Sequence, residues 1–152
     1  MSKIIISDTS CLIALDRIKQ LELLHRTFTS IITTNEVQAE FGSTLPSWIS
    51  IHDVKDTNKL RELESIIDKG EASAIALALE TNDSVLIIDE RKGRKLAREL
   101  NINIIGTLKI LLIAKKKGIV PSVKQLIEQL EKNNFRFSKP IINEILKEAG
   151  EI

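Results

Sequence analysis

Two short apolar runs, each closed by an aspartate, restrict this chain more than any other feature. Ile4-Ile5-Ile6 leads through Ser7 to Asp8, and Val85-Leu86-Ile87-Ile88 leads to Asp89. Both runs are charge-free and rich in β-branched residues, the pattern of a strand buried on both faces of a parallel sheet. Ligand sites of open α/β sheets lie beyond the carboxyl ends of the strands, so the two aspartates point to one place. Carboxylates gathered in a crevice repel one another unless a cation neutralises them, and hard cations such as Mg²⁺ take oxygen ligands. The expectation is a metal-dependent hydrolase with an all-carboxylate site.

Strand-like and helix-like segments alternate around these runs. Residues 3–7 read as a strand, and residues 11–25 as one helix with Leu12, Leu15, Ile18, Leu21 and Leu24 at helical spacing. A short apolar piece over 30–33 follows, and Asn35 is placed to cap a helix running to Phe41. Residues 42–50 form a loop, 51–54 a short strand, and 57–68 an amphipathic helix that Gly70 ends. Then come a helix over 71–80, a strand over 84–88, a helix over 90–100 and a strand over 103–105. Helices over 107–117, 122–132 and 139–149 close the chain, the first followed by a turn at 118–121. This order predicts a three-layer α/β domain with a central parallel sheet and a helical tail.

A length of 152 residues fits a single domain, able to bury roughly two-thirds of its unfolded surface. A 43% hydrophobic content with 3% aromatics suits helices packed on a sheet. The net charge of +1 means that any nucleic-acid footprint must come from local clustering. No apolar run is long enough to span a membrane, and the chain enters its first strand without a signal-peptide core. The lone Cys11 allows no internal disulfide and fits a reducing cytosol, so a cytoplasmic protein is expected.

Two further acids sharpen the site. Glu71 opens its helix, and one helix, a turn and a strand fill the chain between it and Asp89, so Glu71 and Asp89 share one edge of the sheet. Glu40 ends the helix that follows the apolar piece at 30–33, but nothing in the spacing sets its distance from Asp8. Each acid also has a structural reading: Asp8 and Asp89 as N-caps, Glu71 as a carboxylate favoured by the helix dipole. After Asp89, Arg91, Arg94, Lys95 and Arg98 recur on one helix face, opposite Leu96, Ala97 and Leu100. That stripe suits the phosphates of a single strand, or equally a solvated face balanced by Glu90 and Glu99.

Other chemistries lack their residues. His25 and His52 have no serine–carboxylate arrangement around them, and Asp8 opposes a thiolate at Cys11. The chain has no P-loop, dinucleotide fingerprint, CxxC or HExxH.

The strand-ending Asp8-Thr9-Ser10, Glu40 after Val37-Gln38-Ala39, the run Gly70-Glu71-Ala72-Ser73-Ala74-Ile75-Ala76, and Leu86-Ile87-Ile88-Asp89 resemble the PIN-domain nucleases. The likeness covers the whole chain, 1–152, and is strongest to small stand-alone prokaryotic members related to VapC-type toxins. It implies a PIN-like fold whose last helices, about 122–150, form a C-terminal extension. It also implies a Mg²⁺- or Mn²⁺-dependent ribonuclease in which Asp8, Glu40, Glu71 and Asp89 hold the metal, with Ser10 supplying a hydroxyl. Where many members carry another acid, this chain has Arg91, which favours one metal. The substrate implied is single-stranded or structured RNA, with an antitoxin protein as partner and no membrane. A homodimer is implied too, and Ile13 and Leu23 lie outside their helix's core stripe as candidate contacts. The alternative is a non-catalytic PIN-like scaffold that binds RNA or protein.

Overall fold

The computed structural model describes residues 3–152. Strands β1 (Ile4–Ser7), β2 (Ser30–Thr34), β3 (Ile49–His52), β4 (Ser84–Ile87) and β5 (Ile104–Ile105) form one sheet of order β3-β2-β1-β4-β5. Every pairing in it is parallel. Helices α1 (Thr9–Arg17) and α2 (Glu22–Thr27) lie between β1 and β2, and α3 (Asn35–Phe41) leads to β3. Helices α4 (Thr57–Glu64) and α5 (Lys69–Leu79) lead to β4, and α6 (Arg91–Glu99) leads to β5. Helices α7 (Thr107–Lys116), α8 (Val123–Lys132) and α9 (Lys139–Glu148) end the chain.

The period-two alternation of the strands sorts their side chains into two cores. Ile5, Ile31, Ile49 and Ile87 pack with buried residues of α1, α2, α7, α8 and α9, including Leu12, Leu24, Leu111 and Leu130. Ile6, Ile32, Leu86 and Ile88 pack with α4, α5 and α6 through Leu63, Ile75 and Ala97. The result is the expected three-layer α/β architecture. Helices α8 and α9 are no loose tail, because Val123, Ile127, Ile145 and Leu146 share the larger core.

The chain runs outward from β1 to β2 and β3, then returns to place β4 on the other side of β1. The switch point of the sheet therefore lies between β1 and β4. Ser7 pairs with Ile87, which sets Asp8 opposite Ile88 and Asp89 one residue further along the same edge.

The structure corrects several element boundaries. Residues 11–25 form two helices, because Lys19 takes a left-handed conformation (φ 59°) after Ile18. The Lys19 and Gln20 amides donate to the Asp16 and Leu15 carbonyls, closing a Schellman motif without the usual glycine. Thr34, rather than Asn35, caps α3, accepting from the Val37 amide. The third strand spans Ile49–His52 rather than 51–54, and α4 ends at Glu64, leaving Asp68 to cap α5. Gly70 lies inside α5 and breaks nothing. Leu23 is 1% exposed, so it offers no surface to a second copy. Among the described residues, no helix is long and apolar enough to cross a membrane.

Candidate active site

The acids gather at the carboxyl edge of β1 and β4. Asp8 is 1% exposed and caps α1, its Oδ1 accepting from the Cys11 amide at 3.1 Å. The capping role is therefore real, but it engages only one oxygen. Burial pushes the Asp8 carboxyl up to about 8, the Cys11 amide opposes the shift, and the charges of Asp89 and Asp68 add to it.

Glu71 stands three residues after the α5 cap, Asp68, which accepts from the Glu71 amide at 3.0 Å. Asp-x-x-Glu is capping-box spacing, and a closed box would return the glutamate to the cap residue's own amide. Glu71 makes no such bond among the described residues. Its Oε2 is instead the one buried side-chain oxygen or nitrogen among them without a hydrogen-bond partner. Burial pushes this carboxyl up to about 8, with Asp68, Glu90 and Asp8 as further causes.

Asp89 and Glu40 are held differently. Asp89 accepts from the Thr107 amide at 2.9 Å and from the Thr107 hydroxyl, tying the end of β4 to the start of α7. It does not cap the helix that follows it: Glu90 does, accepting from the Gly93 amide. Glu40 accepts from the Thr9 hydroxyl at 2.6 Å and the Gly70 amide at 3.1 Å. Its carboxylate thus sits between the residue after Asp8 and the residue before Glu71. Ser10 lies exposed in the first turn of α1.

Three glycines make room for three of these acids. A Cβ on Gly70 would sit 2.1 Å from Glu40 Oε1, one on Gly93 2.5 Å from Glu71 Oε2, and one on Gly106 2.9 Å from Asp89 Oδ1. Contacts that short are not sustainable, so each carboxylate rests where only bare backbone leaves space. Spacing alone took Gly70 for a helix breaker, and its role becomes visible only once α3 and α5 are packed together. Asp68 and Thr107 also escaped the sequence reading. The capping-box spacing before Glu71 could have flagged Asp68, whereas nothing local links Thr107 to Asp89.

The donor set is all oxygen and short of positive charge. Among the described residues, no three carboxylate, imidazole or thiol groups converge into a ready-formed cation cage. Two protonation-prone carboxylates and an unpartnered buried oxygen are nevertheless what a hard cation satisfies. In these respects the residues present fit Mg²⁺ or Mn²⁺. Cys11 stays outside this chemistry, since burial and the Asp8 charge push its thiol up.

Of the basic stripe, Arg91, Arg94 and Arg98 line one cleft beside Asp89, while Lys95 is exposed and lies outside it. Arg94 donates to the Ile88 carbonyl at 2.7 Å, which fixes its guanidinium against the end of β4. Burial and the nearby Arg98 lower its proton affinity, and Asp89 counters them.

A family model described as a PIN domain matches residues 4–151. No curated protein and no solved structure matches the chain. A parallel five-stranded sheet with acids at its switch point agrees with that match, and the chain belongs to the PIN-domain family, whose members are generally nucleases.

Proposed function

We propose that the protein is a metal-dependent endoribonuclease that hydrolyses RNA phosphodiester bonds. In this reading it is the cytoplasmic toxin of a toxin–antitoxin pair, as its resemblance to VapC-type proteins implies. The observation that carries the catalytic part is Glu71 Oε2, buried without a partner, with the charges of Asp68, Glu90 and Asp8 acting on it and Asp89 acting in turn on Asp8. Burying an unsatisfied carboxylate oxygen costs free energy, and a fold tolerates it where a ligand will complete the site.

Asp8, Glu40, Glu71 and Asp89 would hold Mg²⁺ or Mn²⁺, with the Ser10 hydroxyl beside them. When bound, the ion supplies Lewis-acid charge at the phosphodiester undergoing attack. The chain's own contribution is positional. Thr107 orients Asp89, the Cys11 amide orients Asp8, and the Glu40 clamp fixes the start of α5, which carries Glu71. Arg94, fixed on the Ile88 carbonyl, sets a cation where a phosphate would approach Asp89. RNA, an antitoxin and a second copy of the chain are the partners of this reading.

The deciding experiment is RNA cleavage by purified protein with and without Mn²⁺, with Asp8→Asn alongside. Mn²⁺-dependent cleavage that disappears in Asp8→Asn is the expected result. RNA binding without cleavage under any divalent ion would leave the non-catalytic scaffold in its place.

A further inference from the structure

A cleft of about 560 Å³ opens beside Asp89, between α6 and the turn that leads into α9. Arg91, Arg94 and Arg98 form one wall, and Arg136 and Phe137 rise from the other. Among the described residues, none of these four arginines makes an ion pair within 4.0 Å; Lys109 at the same cleft is paired with Glu148. Two of the guanidiniums are nevertheless fixed by main-chain carbonyls, Arg94 by Ile88 and Arg136 by Glu131. Anchored, unpaired guanidiniums are ready-made phosphate forks.

The cleft is not purely cationic. Ile141, 51% exposed, is one of the few large apolar side chains the fold leaves in water, and it lines this cleft with Phe137 and Leu108. A phosphate alone would leave that apolar surface unused. A nucleotide, anionic on one side and flat and apolar on the other, uses both.

We propose that this cleft receives one unpaired nucleotide of the RNA strand, adjoining the phosphate held at Asp89. Arg98 and Arg136 grip its phosphate, and its base lies against Phe137 and Ile141. The position of the reacting phosphate rests on the nuclease reading given above. A paired base cannot turn into the cleft, so the site selects single strands. Arg136 belongs to the α8–α9 turn, so the C-terminal helices contribute to substrate choice as well as to the core.

The test is binding of a short labelled single-stranded RNA in EDTA, where no metal-dependent step contributes, against its duplex and a copy with one abasic position. Arg98→Gln and Arg136→Gln should each weaken single-strand binding about 3- to 10-fold, the scale of one hydrogen bond at a solvent-exposed site. Together they should flatten the slope of log affinity on log salt by about 1.4. Ile141→Ser, at an exposed position that leaves the fold intact, should bind intact and abasic strands alike. Lys124→Gln, exposed on α8 away from the cleft, should change nothing. Duplex bound as tightly as single strand, or no effect of Arg136→Gln and Ile141→Ser, overturns the proposal even where RNA is still cleaved. Binding of poly-glutamate in place of RNA overturns it in favour of a protein partner. Cleft variants that weaken binding to a protein that cleaves nothing with Mn²⁺ would uphold the cleft and sink the nuclease reading alone.

Discussion

Glu71 and Glu151 are both carboxylates tucked against helix starts, and the fold treats them in opposite ways. Burial pushes Glu151 up, but the Lys115 ammonium at 2.8 Å, the amides of Lys124 and Val123 and the Ser122 hydroxyl outweigh it. They hold its carboxyl down to about 2. Glu71 receives no such donors: its Oε2 is buried alone, other acids surround it, and its carboxyl is pushed up to about 8. The Asp68-x-x-Glu71 spacing is that of a capping box, yet among the described residues no such bond closes it. A group supplied with every donor stabilises the fold as an anion, whereas one denied them holds its proton until a ligand takes its place.

The largest expected effect breaks the Glu71 side of this contrast. Asp8→Asn keeps the α1 cap, because Asn caps as well as Asp. It removes a carboxyl that can ionise onto a metal, so cleavage should fall at least about 100-fold while the fold survives. Urea unfolding should show a metal-free variant at least as stable as the parent. A variant that unfolds readily would make Asp8 a structural cap first and a site residue second.

A smaller loss is expected when the space behind Glu71 is filled. Gly93→Ala would place a Cβ 2.5 Å from Glu71 Oε2 and 2.6 Å from Ile88 Cδ1. Overpacking of this kind costs about 1–3 kcal/mol and moves the carboxylate out of its place. Thermal unfolding should register the cost, and Mn²⁺ should restore less of it than in the parent. Full recovery with Mn²⁺ would show that the site does not need Glu71 where the glycine puts it.

The pH dependence separates the two glutamates by sign. In the metal-free folded chain Asp8 and Glu71 keep their protons up to about pH 8, while their ordinary values are 3.8 and 4.5. Between those limits the folded state binds more protons, so stability should fall as pH rises from about 4 to about 8. Fully buried Asp8 dominates the effect, and the partly exposed Glu71 adds less because solvent screens it. Saturating Mn²⁺ should abolish or reverse the slope, because the ion displaces those protons. Calorimetry across this range with EDTA or Mn²⁺ is the measurement, and a slope indifferent to Mn²⁺ would detach these acids from any metal.

What was legible in the sequence follows the same division. Asp8 and Asp89 stood out because strands buried on both faces admit no charge, so an aspartate at the end of such a run marks an edge. The parallel order followed from alternation of strands and helices. Glu40 could not be placed, because its partners, Thr9 and Gly70, belong to other elements and meet it only after packing. Lys19 hid a helix end, since it adopts the left-handed turn usually signalled by glycine. Arg136 joined the basic stripe of α6 only through the packing of α9, at a distance that helical periodicity does not reach.

The smallest effect tests the Glu151 side. Glu151→Gln keeps the size of the side chain but loses the charge that Lys115 and the start of α8 share. Its side chain is 12% exposed, and the expected loss is about 1–2 kcal/mol after allowance for solvent at the chain's end. Because its folded value lies below its ordinary 4.5, the stabilisation is complete above that pH and disappears as pH falls toward about 2. The parent's stability should therefore decline between about pH 4.5 and pH 2, and the variant, less stable above that range, should lack that acid limb. Cleavage per folded molecule should be unchanged, since no atom of Glu151 faces the acids of β1 and β4. A drop in cleavage without a drop in stability would mean that the clip over α8 also sets the geometry of the cleft.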